Sequence, residues 1–180
     1  NPGQAGGEAL AEVLFGEYNP AGRLPVTFYC SVDDLPPFDD YGMEGRTYRY
    51  FRGEPLYPFG HGLSYSTFRY ENLRISPAQA SPGERVTVSA EVTNTGDRAG
   101  DEVVQLYIRH PEASGPRPIQ ELKAFARIHL KPGECQTATL VLDVDQLGLY
   151  DEGGRYVVRP GSIEVMVGSS SQDLPLAGRL

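Results

Sequence analysis

The stretch GRTYRYFRGEPLYPFGHGLSYSTF, residues 45–68, joins two parts of the chain that differ in composition. It carries seven aromatic side chains: Tyr48, Tyr50, Phe51, Tyr57, Phe59, Tyr65 and Phe68. A flexible linker would be rich in Ser, Gly or charged residues, and this much aromatic area is costly to leave in water. Helices and central strands are interrupted here by Pro55, Pro58, Gly60 and Gly62. We therefore predict an extended, kinked connector whose rings pack between neighbouring domains.

Three arginines, Arg46, Arg49 and Arg52, recur at every third position of this connector. Guanidinium groups at such positions can stack on aromatic rings or form forked hydrogen bonds to carboxylates. We expect them at the rim of the packed aromatic groups.

The residues before the connector predict one helix and one short strand. Apolar residues recur at helical spacing from Gln4 to Phe15, and Leu24–Phe28 is a β-type run after an Asn-Pro-Ala-Gly turn. Two such elements cannot bury a core. We predict that residues 1–28 are the last elements of a larger α/β sandwich domain, and that residues 29–63, which begin with an acidic loop, form the connector.

The residues after the connector alternate between apolar and polar side chains in short runs separated by turn residues. This pattern predicts a mainly β fold, with an immunoglobulin or fibronectin III-like β-sandwich at residues 64–180. Within it, Val86, Val88, Ala90 and Val92 should share one buried face. About seven strands are expected, at residues 68–75, 85–92, 102–109, 122–130, 135–144, 155–158 and 162–167, with Leu122 facing the core in the fourth.

Composition excludes several classes of function. The net charge of −8 and pI near 4.9, with dispersed arginines, argue against a nucleic-acid partner. No apolar run is long enough to span a membrane. The start, NPGQAGGEAL, has no initiator Met and no signal-peptide pattern, so we expect a segment of a longer protein. Cys30 and Cys135 have neither disulfide-framework nor zinc-site spacing, so we predict free thiols, no metal and no cofactor.

Several long motifs resemble glycoside hydrolase family 3, at its C-terminal end. NPGQAGGEALAEVLFGEYNPAGRLPVTFY is similar to the close of that family's α/β sandwich domain, and DDYGMEGRTYRYF with PLYPFGHGLSYSTF to its connector. GDEVVQLYIRHP, RPIQELKAFARIHLKPGE and RPGSIEVMVGSSSQDLPL are similar to its fibronectin type III-like domain. The connector is more similar to the β-glucosidase and β-xylosidase branches than to the β-N-acetylhexosaminidase branch.

The resemblance implies a retaining enzyme with an aspartate nucleophile and a glutamate acid/base, both on domains that precede Asn1. We therefore assign no catalytic residue to this chain. Retaining hydrolysis needs two carboxyl groups about 5 Å apart, one kept protonated by its surroundings. The acidic loop offers Asp33, Asp34, Asp39, Asp40 and Glu44, which we interpret as a solvated loop paired with Arg46 and its neighbours.

Other candidate residues have simple structural interpretations. Gly3, Gly6 and Gly7 lack the Lys and Ser/Thr of a phosphate-binding loop, so we attribute them to close helix packing. His61, between two glycines, is interpreted as a packing residue, and Ser169–Ser171 have no acid or His at a spacing that supports nucleophilic catalysis. The connector aromatics could form a sugar-stacking platform, but the intervening Pro and Gly favour interdomain packing.

The leading hypothesis is the C-terminal segment of a retaining β-glycosidase that releases terminal β-linked glucose or xylose from oligosaccharides. Its partners would be the N-terminal catalytic domains of the same enzyme, and the segment alone would be inactive. The alternatives are a non-catalytic carbohydrate-binding or adhesion module and a scaffold for homo-oligomerisation. The resemblance favours a periplasmic or secreted location, with a cytoplasmic one left open, and glucosidase is not distinguished from xylosidase.

Overall fold

The computed structural model describes residues 3–111, 117–151 and 153–180. Asn1 and Pro2, with which the predicted α/β segment opens, lie outside the described residues. The helices are α1 (Gly6–Leu14), α2 (Thr47–Tyr50) and two 3-10 turns, Val32–Asp34 and Val144–Leu147. The strands are β1 (Phe68–Ser76), β2 (Arg85–Asn94), β3 (Gly100–Arg109), β4 (Glu121–Leu130), β5 (Cys135–Asp143), β6 (Leu149–Tyr150), β7 (Tyr156–Val157), β8 (Glu164–Gly168) and β9 (Leu176–Arg179).

Two antiparallel sheets form the predicted β-sandwich. One has the order β1-β2-β5 and the other β4-β3-β8-β9. Apolar side chains on the inner faces of both sheets make one core, and the predicted alternation of β2 is confirmed because Val86, Val88, Ala90 and Val92 are all at most 2% exposed. The mainly β, sandwich fold class is therefore correct.

Three details of the sandwich differ from the sequence-based predictions. The strand predicted at residues 155–158 is β7, which pairs only with β6 in a small hairpin outside the two sheets. Strand β9 was not predicted, because its four residues, LAGR, are too few to show an alternating pattern and include a glycine. The prediction that Leu122 faces the core is wrong, since a β-bulge shifts the register of β4 and sets Leu122 opposite Tyr107, outside the core cluster.

The segment before the connector contains the predicted helix but not the predicted strand. Helix α1 ends at Leu14, and Gly16 follows with φ +77°, a conformation that favours glycine. Residues 24–28 run antiparallel to the connector through only one bridge, Phe28 to Tyr57, and two hydrogen bonds of Leu24 with Gly60 and His61. Because Pro25 and Pro58 have no N–H to donate, a continuous ladder cannot form.

The connector is kinked, as predicted, but it also contains a short helix that was not predicted. The backbone N–H of Phe51 donates to the carbonyl of Thr47 at 2.9 Å, which closes the single turn of α2. Residues 47–50 contain neither proline nor glycine, and Pro55, Pro58, Gly60 and Gly62 all follow Arg52, so nothing in residues 47–50 opposes one helical turn.

Candidate functional site

Strand β3 is buried on both of its faces, although one face of a two-sheet sandwich normally meets solvent. Val104, Leu106 and Ile108 fill the core. Gln105 and Tyr107, which alternate with them and so face outward, are 2% and 0% exposed. Residues 47–61 cover this outer face. We call the surface where residues 19–23 and 47–61 meet the sandwich the docking interface.

Gln105 occupies the centre of the docking interface. Its amide nitrogen donates to the carbonyl of Gly60 at 3.2 Å and to that of Ser169, and its amide oxygen accepts from the Tyr107 hydroxyl at 2.6 Å. Gly60 has φ +81°, and a Cβ there would lie 2.2 Å from the Gln105 amide oxygen. The connector can approach β3 this closely only because residue 60 is glycine.

Tyr48 supplies the aromatic part of the docking interface. Its ring stacks on Phe59, with centroids 4.2 Å apart and planes 18° apart, and meets Tyr107 edge-on at 5.9 Å. Its hydroxyl accepts a hydrogen bond from the backbone N–H of Leu122 at 3.0 Å. The amphipathic ring thus joins the connector to β3 by apolar contact and to β4 by a polar one.

An ion-pair cluster borders these rings at the start of β4. Arg49 pairs with Glu121, which is 7% exposed, and the Nζ of Lys123 lies 3.4 Å from the other Glu121 oxygen. The backbone adds a bond from the N–H of Ile119 to the carbonyl of Arg49. Of the three arginines predicted at the rim, Arg49 therefore does pair with a carboxylate.

A buried ion pair joins residues 19–23 to the beginning of strand β3. Arg23 reaches the carboxylate of Glu102 at 2.7 Å, and the Tyr70 hydroxyl donates to the other oxygen of Glu102 at 2.6 Å. The side chains of Arg23 and Glu102 are 11% and 2% exposed. Because water hardly reaches these two side chains, loss of either one would leave the charge of the other uncompensated.

Burial sets the electrostatics of this pair. The pKa of Glu102 is raised because burial disfavours its charged form, although the hydrogen bond from Tyr70 and the charge of Arg23 oppose that rise. The pKa of Tyr70 is raised by burial and then by the negative charge of Glu102. Tyr70 therefore stays protonated and donates, while Glu102 accepts.

Asn19 makes a second polar attachment next to Arg23. Its amide nitrogen donates to Ser66 Oγ and to the carbonyl of Ala99, each at 2.9 Å. Its amide oxygen accepts from Ser64 Oγ at 3.0 Å and from the backbone N–H of Tyr65 at 2.8 Å. All four hydrogen bonds lead to the sandwich or its first residues, so residues 19–23 are held in a defined position.

The carboxylates considered in the sequence do not gather in a pocket. Asp34 caps a 3-10 turn through the backbone N–H of Ser31 at 2.9 Å, and Asp40 accepts from the backbone N–H of Gly42 at 2.8 Å. Asp33, Asp39 and Glu44 are exposed. Arg46 binds this loop through the carbonyl oxygens of Pro37, Asp40 and Gly42 and not, as predicted, through carboxylates.

The other sequence candidates lie at separate places. His61 stacks on Tyr57 with centroids 5.3 Å apart, and Gly3, Gly6 and Gly7 lie at the start of α1. One acid contacts these serines, because Ser169 Oγ donates a hydrogen bond to the carboxylate of Asp173. Ser170 Oγ accepts from the backbone N–H groups of Gln172 and Asp173, so these side chains serve the turn between β8 and β9.

Cys30 and Cys135 are both free, as predicted. Within residues 3–111, 117–151 and 153–180, no group of three or more His, Cys, Asp or Glu side chains could hold a metal ion. None of the helices described is long and apolar enough to cross a membrane.

Comparison with protein families divides the chain into two matched regions. Residues 1–65 match the glycosyl hydrolase family 3 C-terminal domain, and residues 102–171 match the fibronectin type III-like domain. The docking interface thus joins residues from both matched regions.

Curated relatives match nearly the whole chain. A xylan 1,4-beta-xylosidase of Xylanibacter ruminicola is 44% identical over 97% of this chain, and a periplasmic beta-glucosidase of Salmonella typhimurium is 41% identical over 94%. The chain spans only 20% and 24% of the lengths of these two proteins.

Solved structures show the same architecture. The beta-glucosidase D2-BGL from Chaetomella raphigera superposes with a TM-score of 0.87 at 35% identity, over 99% of this chain and 28% of that one. The beta-glucosidase EmGH1 from Erythrobacter marinus has a TM-score of 0.83 at 44% identity, over 97% of this chain and 23% of that one. Together with the two matched regions, these likenesses show that the chain belongs to glycoside hydrolase family 3, as its C-terminal portion with a fibronectin type III-like domain.

Proposed function

We propose that the chain is the C-terminal part of a retaining β-glycosidase that removes terminal β-linked glucose or xylose from oligosaccharides. In this proposal the chain does no chemistry. It completes the α/β domain with residues 1–28, carries the connector at residues 29–63, and anchors both on a sandwich at residues 64–180. Its partners are the N-terminal catalytic domains of the same enzyme, which bind most of the substrate.

One observation carries the positioning role, namely that part of the connector is fixed to the sandwich while its acidic loop leaves large aromatic side chains exposed. Gln105, Tyr107 and Glu102 lose nearly all solvent contact beneath residues 19–61. In the acidic loop of the same connector Phe38 and Tyr41 are 97% and 90% exposed. Large exposed apolar surface marks a surface that another body covers, and the catalytic domains of the same enzyme are the occupant proposed here.

Helix α1 supports the same proposal. It has no buried residue, and Leu10, Leu14 and Phe15 are 60%, 69% and 83% exposed. A nine-residue helix that buries none of its side chains is marginal in water, because tertiary contacts supply most helix stability. An apolar face of this kind fits against the body of an α/β domain.

Catalysis depends on domain placement because a misplacement of about 1 Å can cost about a hundredfold in rate. A sandwich that holds the connector by buried hydrogen bonds would keep the catalytic groups of neighbouring domains in register. The names of the two curated relatives, a xylosidase and a glucosidase, suggest the two candidate sugars.

The test uses the full-length protein that carries this chain, assayed on aryl β-glucoside and aryl β-xyloside. We expect turnover of at least one substrate, trapping of a covalent glycosyl-enzyme intermediate, and no turnover by the 180-residue chain alone. Turnover by the isolated chain, abolished by Asp39→Ala or Asp40→Ala, would refute the proposed division of labour.

A further inference from the structure

A pocket lies where the end of the first segment, the connector and the sandwich meet. Its lining comes from Thr27, from within residues 48–55 of the connector, from Arg109, from residues 119–120 before β4, and from residues 171–172 between β8 and β9. Its volume is about 300 Å³, at the lower end of the range of pockets that hold small organic molecules. A pocket of this size suits one small ring compound.

Thr27 brings an unused hydroxyl group to this lining. Its Oγ1 is shielded from solvent and has no hydrogen-bond partner among the described residues. Buried hydroxyl groups normally have a partner, because one that is unsatisfied has lost its hydrogen bonds to water without replacement. A ligand that carries a hydroxyl group would supply the missing partner.

Gln120 brings a fixed hydrogen-bond acceptor. It is 7% exposed, and its amide nitrogen donates to the carbonyl of Ser171 at 2.6 Å. This bond sets the orientation of the amide, and no hydrogen bond from the described residues reaches the amide oxygen. The oxygen is therefore free to accept from a hydroxyl group of a ligand.

Two aromatic rings of fixed orientation, those of Tyr48 and Phe51, form the apolar part of the lining. The Tyr48 ring is held by its stacking on Phe59. The Phe51 ring meets Tyr29 edge-on, with centroids 4.8 Å apart and planes at 81°. A Cβ at Gly53 would lie 2.5 Å from the Phe51 ring, so this glycine lets the ring lie against the connector backbone. Rings held in this way offer a preformed apolar surface to the C–H face of a pyranose.

The two arginines of the lining do not select an anion. Arg109 Nη1 lies 3.2 Å from the carboxylate of Glu164, and its Nε donates to the carbonyl of Ile119 at 3.2 Å. Arg52 is exposed, so solvent and salt screen its charge. The shielded polar groups, those of Thr27 and Gln120, are neutral. The lining therefore favours an uncharged ligand with several hydroxyl groups.

We propose that this pocket binds an uncharged pyranose, such as glucose or xylose. One face of the sugar ring would lie against Tyr48 and Phe51, and its hydroxyl groups would meet Thr27 Oγ1 and the Gln120 amide oxygen. The choice of a sugar rests on the proposed function, whereas the preference for a neutral hydroxyl-bearing ligand rests on the lining alone. Because Thr27 and Gln120 belong to different matched regions, a bound sugar would bridge them and strengthen the docking interface.

The experiment is hydrogen exchange, followed by mass spectrometry, on the full-length protein with D-glucose, D-xylose, D-sorbitol and D-glucuronate as probes. Saturating glucose or xylose should slow amide exchange at residues 48–55 and 119–121 at least about threefold, because a bound ligand suppresses local opening. Sorbitol should not, since it carries similar hydroxyl groups on an open chain without a ring face. Equal slowing by sorbitol would mean a general polyol effect, and slowing by glucuronate alone would mean an anion site. Either result would overturn the proposal.

Matched variants locate the binding. Thr27→Val removes the unpartnered hydroxyl at nearly constant volume and breaks no hydrogen bond within the described residues, so the fold should be unchanged. The sugar concentration that gives half-maximal slowing should rise about fivefold or more, as expected for one lost hydrogen bond. The same change at an exposed position of β5, Thr139→Val, should leave this concentration unchanged.

A second variant fills the pocket from its exposed rim. Gln172→Trp should abolish the slowing, whereas Gln136→Trp, at an exposed position of β5, should preserve it. Slowing that persists unchanged in both Thr27→Val and Gln172→Trp would overturn the proposal.

Failure of this proposal is distinguishable from failure of the proposed function. Hydrolysis of an aryl β-glycoside, without slowed exchange at residues 48–55, would refute the sugar pocket alone and would favour a side chain from another domain as its occupant. Slowed exchange that is lost in Thr27→Val, without hydrolysis of either glycoside, would support the pocket and refute the enzyme assignment.

Discussion

Removal of Arg23 should destabilise the chain in a strongly pH-dependent manner. Arg23→Met keeps the apolar stem but takes the guanidinium away from Glu102, whose carboxylate is 2% exposed and 2.7 Å from it. Among the described residues, the Tyr70 hydroxyl then remains as the one hydrogen-bond partner of that carboxylate. Loss of one partner of a buried ion pair costs about 3–5 kcal/mol of unfolding free energy, because the other charge is left uncompensated.

The pH dependence follows from the raised pKa of Glu102. A carboxyl group whose folded pKa lies above its ordinary value of 4.5 favours the folded state fully below that value. This contribution is lost as the pH rises through the folded pKa. Arg23→Met removes a positive charge that opposes the rise, so the pKa of Glu102 should increase further. The penalty should therefore be largest near neutral pH and small below pH 4.5, where Glu102 is protonated in both states.

Urea unfolding, followed by circular dichroism at pH 4, 5.5 and 7, measures this penalty. The control is Arg85→Met, because Arg85 is 75% exposed and 3.9 Å from Asp143, and its loss should cost less than about 1 kcal/mol. Glu102→Gln added to Arg23→Met should remove most of the pH dependence. A penalty of equal size at all three pH values would mean that Arg23 acts by packing, and the electrostatic reasoning would fail.

Three other predictions concern the docking interface. Gly60→Ala should lower the free energy of unfolding by at least about 2 kcal/mol, because φ +81° is strained for alanine and its Cβ would meet the Gln105 amide. The control, Gly133→Ala, has φ +73° but open space around it, and should cost only about 1 kcal/mol. Equal losses in the two variants would refute the contact with Gln105. Tyr48→Phe should cost about 1 kcal/mol in urea unfolding, because it removes only the hydroxyl acceptor, whereas Tyr48→Ala should cost about 2 kcal/mol more. Residues 64–180 alone should unfold cooperatively, with lower stability at pH 7 than at pH 5, and a broad transition in near-UV circular dichroism would contradict this.

The sandwich could be predicted from the sequence because its signal is local. In β2 the apolar residues alternate strictly, and in β5 every second residue from Ala138 to Leu142 is apolar and buried. Inward side chains such as Val88 and Leu140 could therefore be identified from neighbouring residues alone. The errors arose where this periodicity is broken. A bulge in β4 reverses the direction of Leu122, and a one-residue register shift cannot be read from composition.

The docking interface could be predicted only in part. The aromatic content of the connector indicated that its rings are packed. The partners of these side chains could not be predicted, because they lie far away in the sequence. Arg23 meets Glu102 across 79 positions, and Tyr48 meets the backbone of Leu122 across 74. Asn19 gave no signal at all, since an Asn before Pro is ordinary turn chemistry.

The sequence of β3 carries one signal for the interface. The outer face of a strand normally carries charged or polar residues where it meets water. On the outer face of β3, however, the three central residues, Val103, Gln105 and Tyr107, are uncharged, and charges occur only at Asp101 and Arg109. Such a face is suited to being covered, and a neutral amide at its centre can satisfy backbone groups from a covering segment at lower desolvation cost than a charge. Gln105 does this for Gly60 and Ser169, so the lack of charge on the outer face of this strand, rather than any motif, marks where the connector binds.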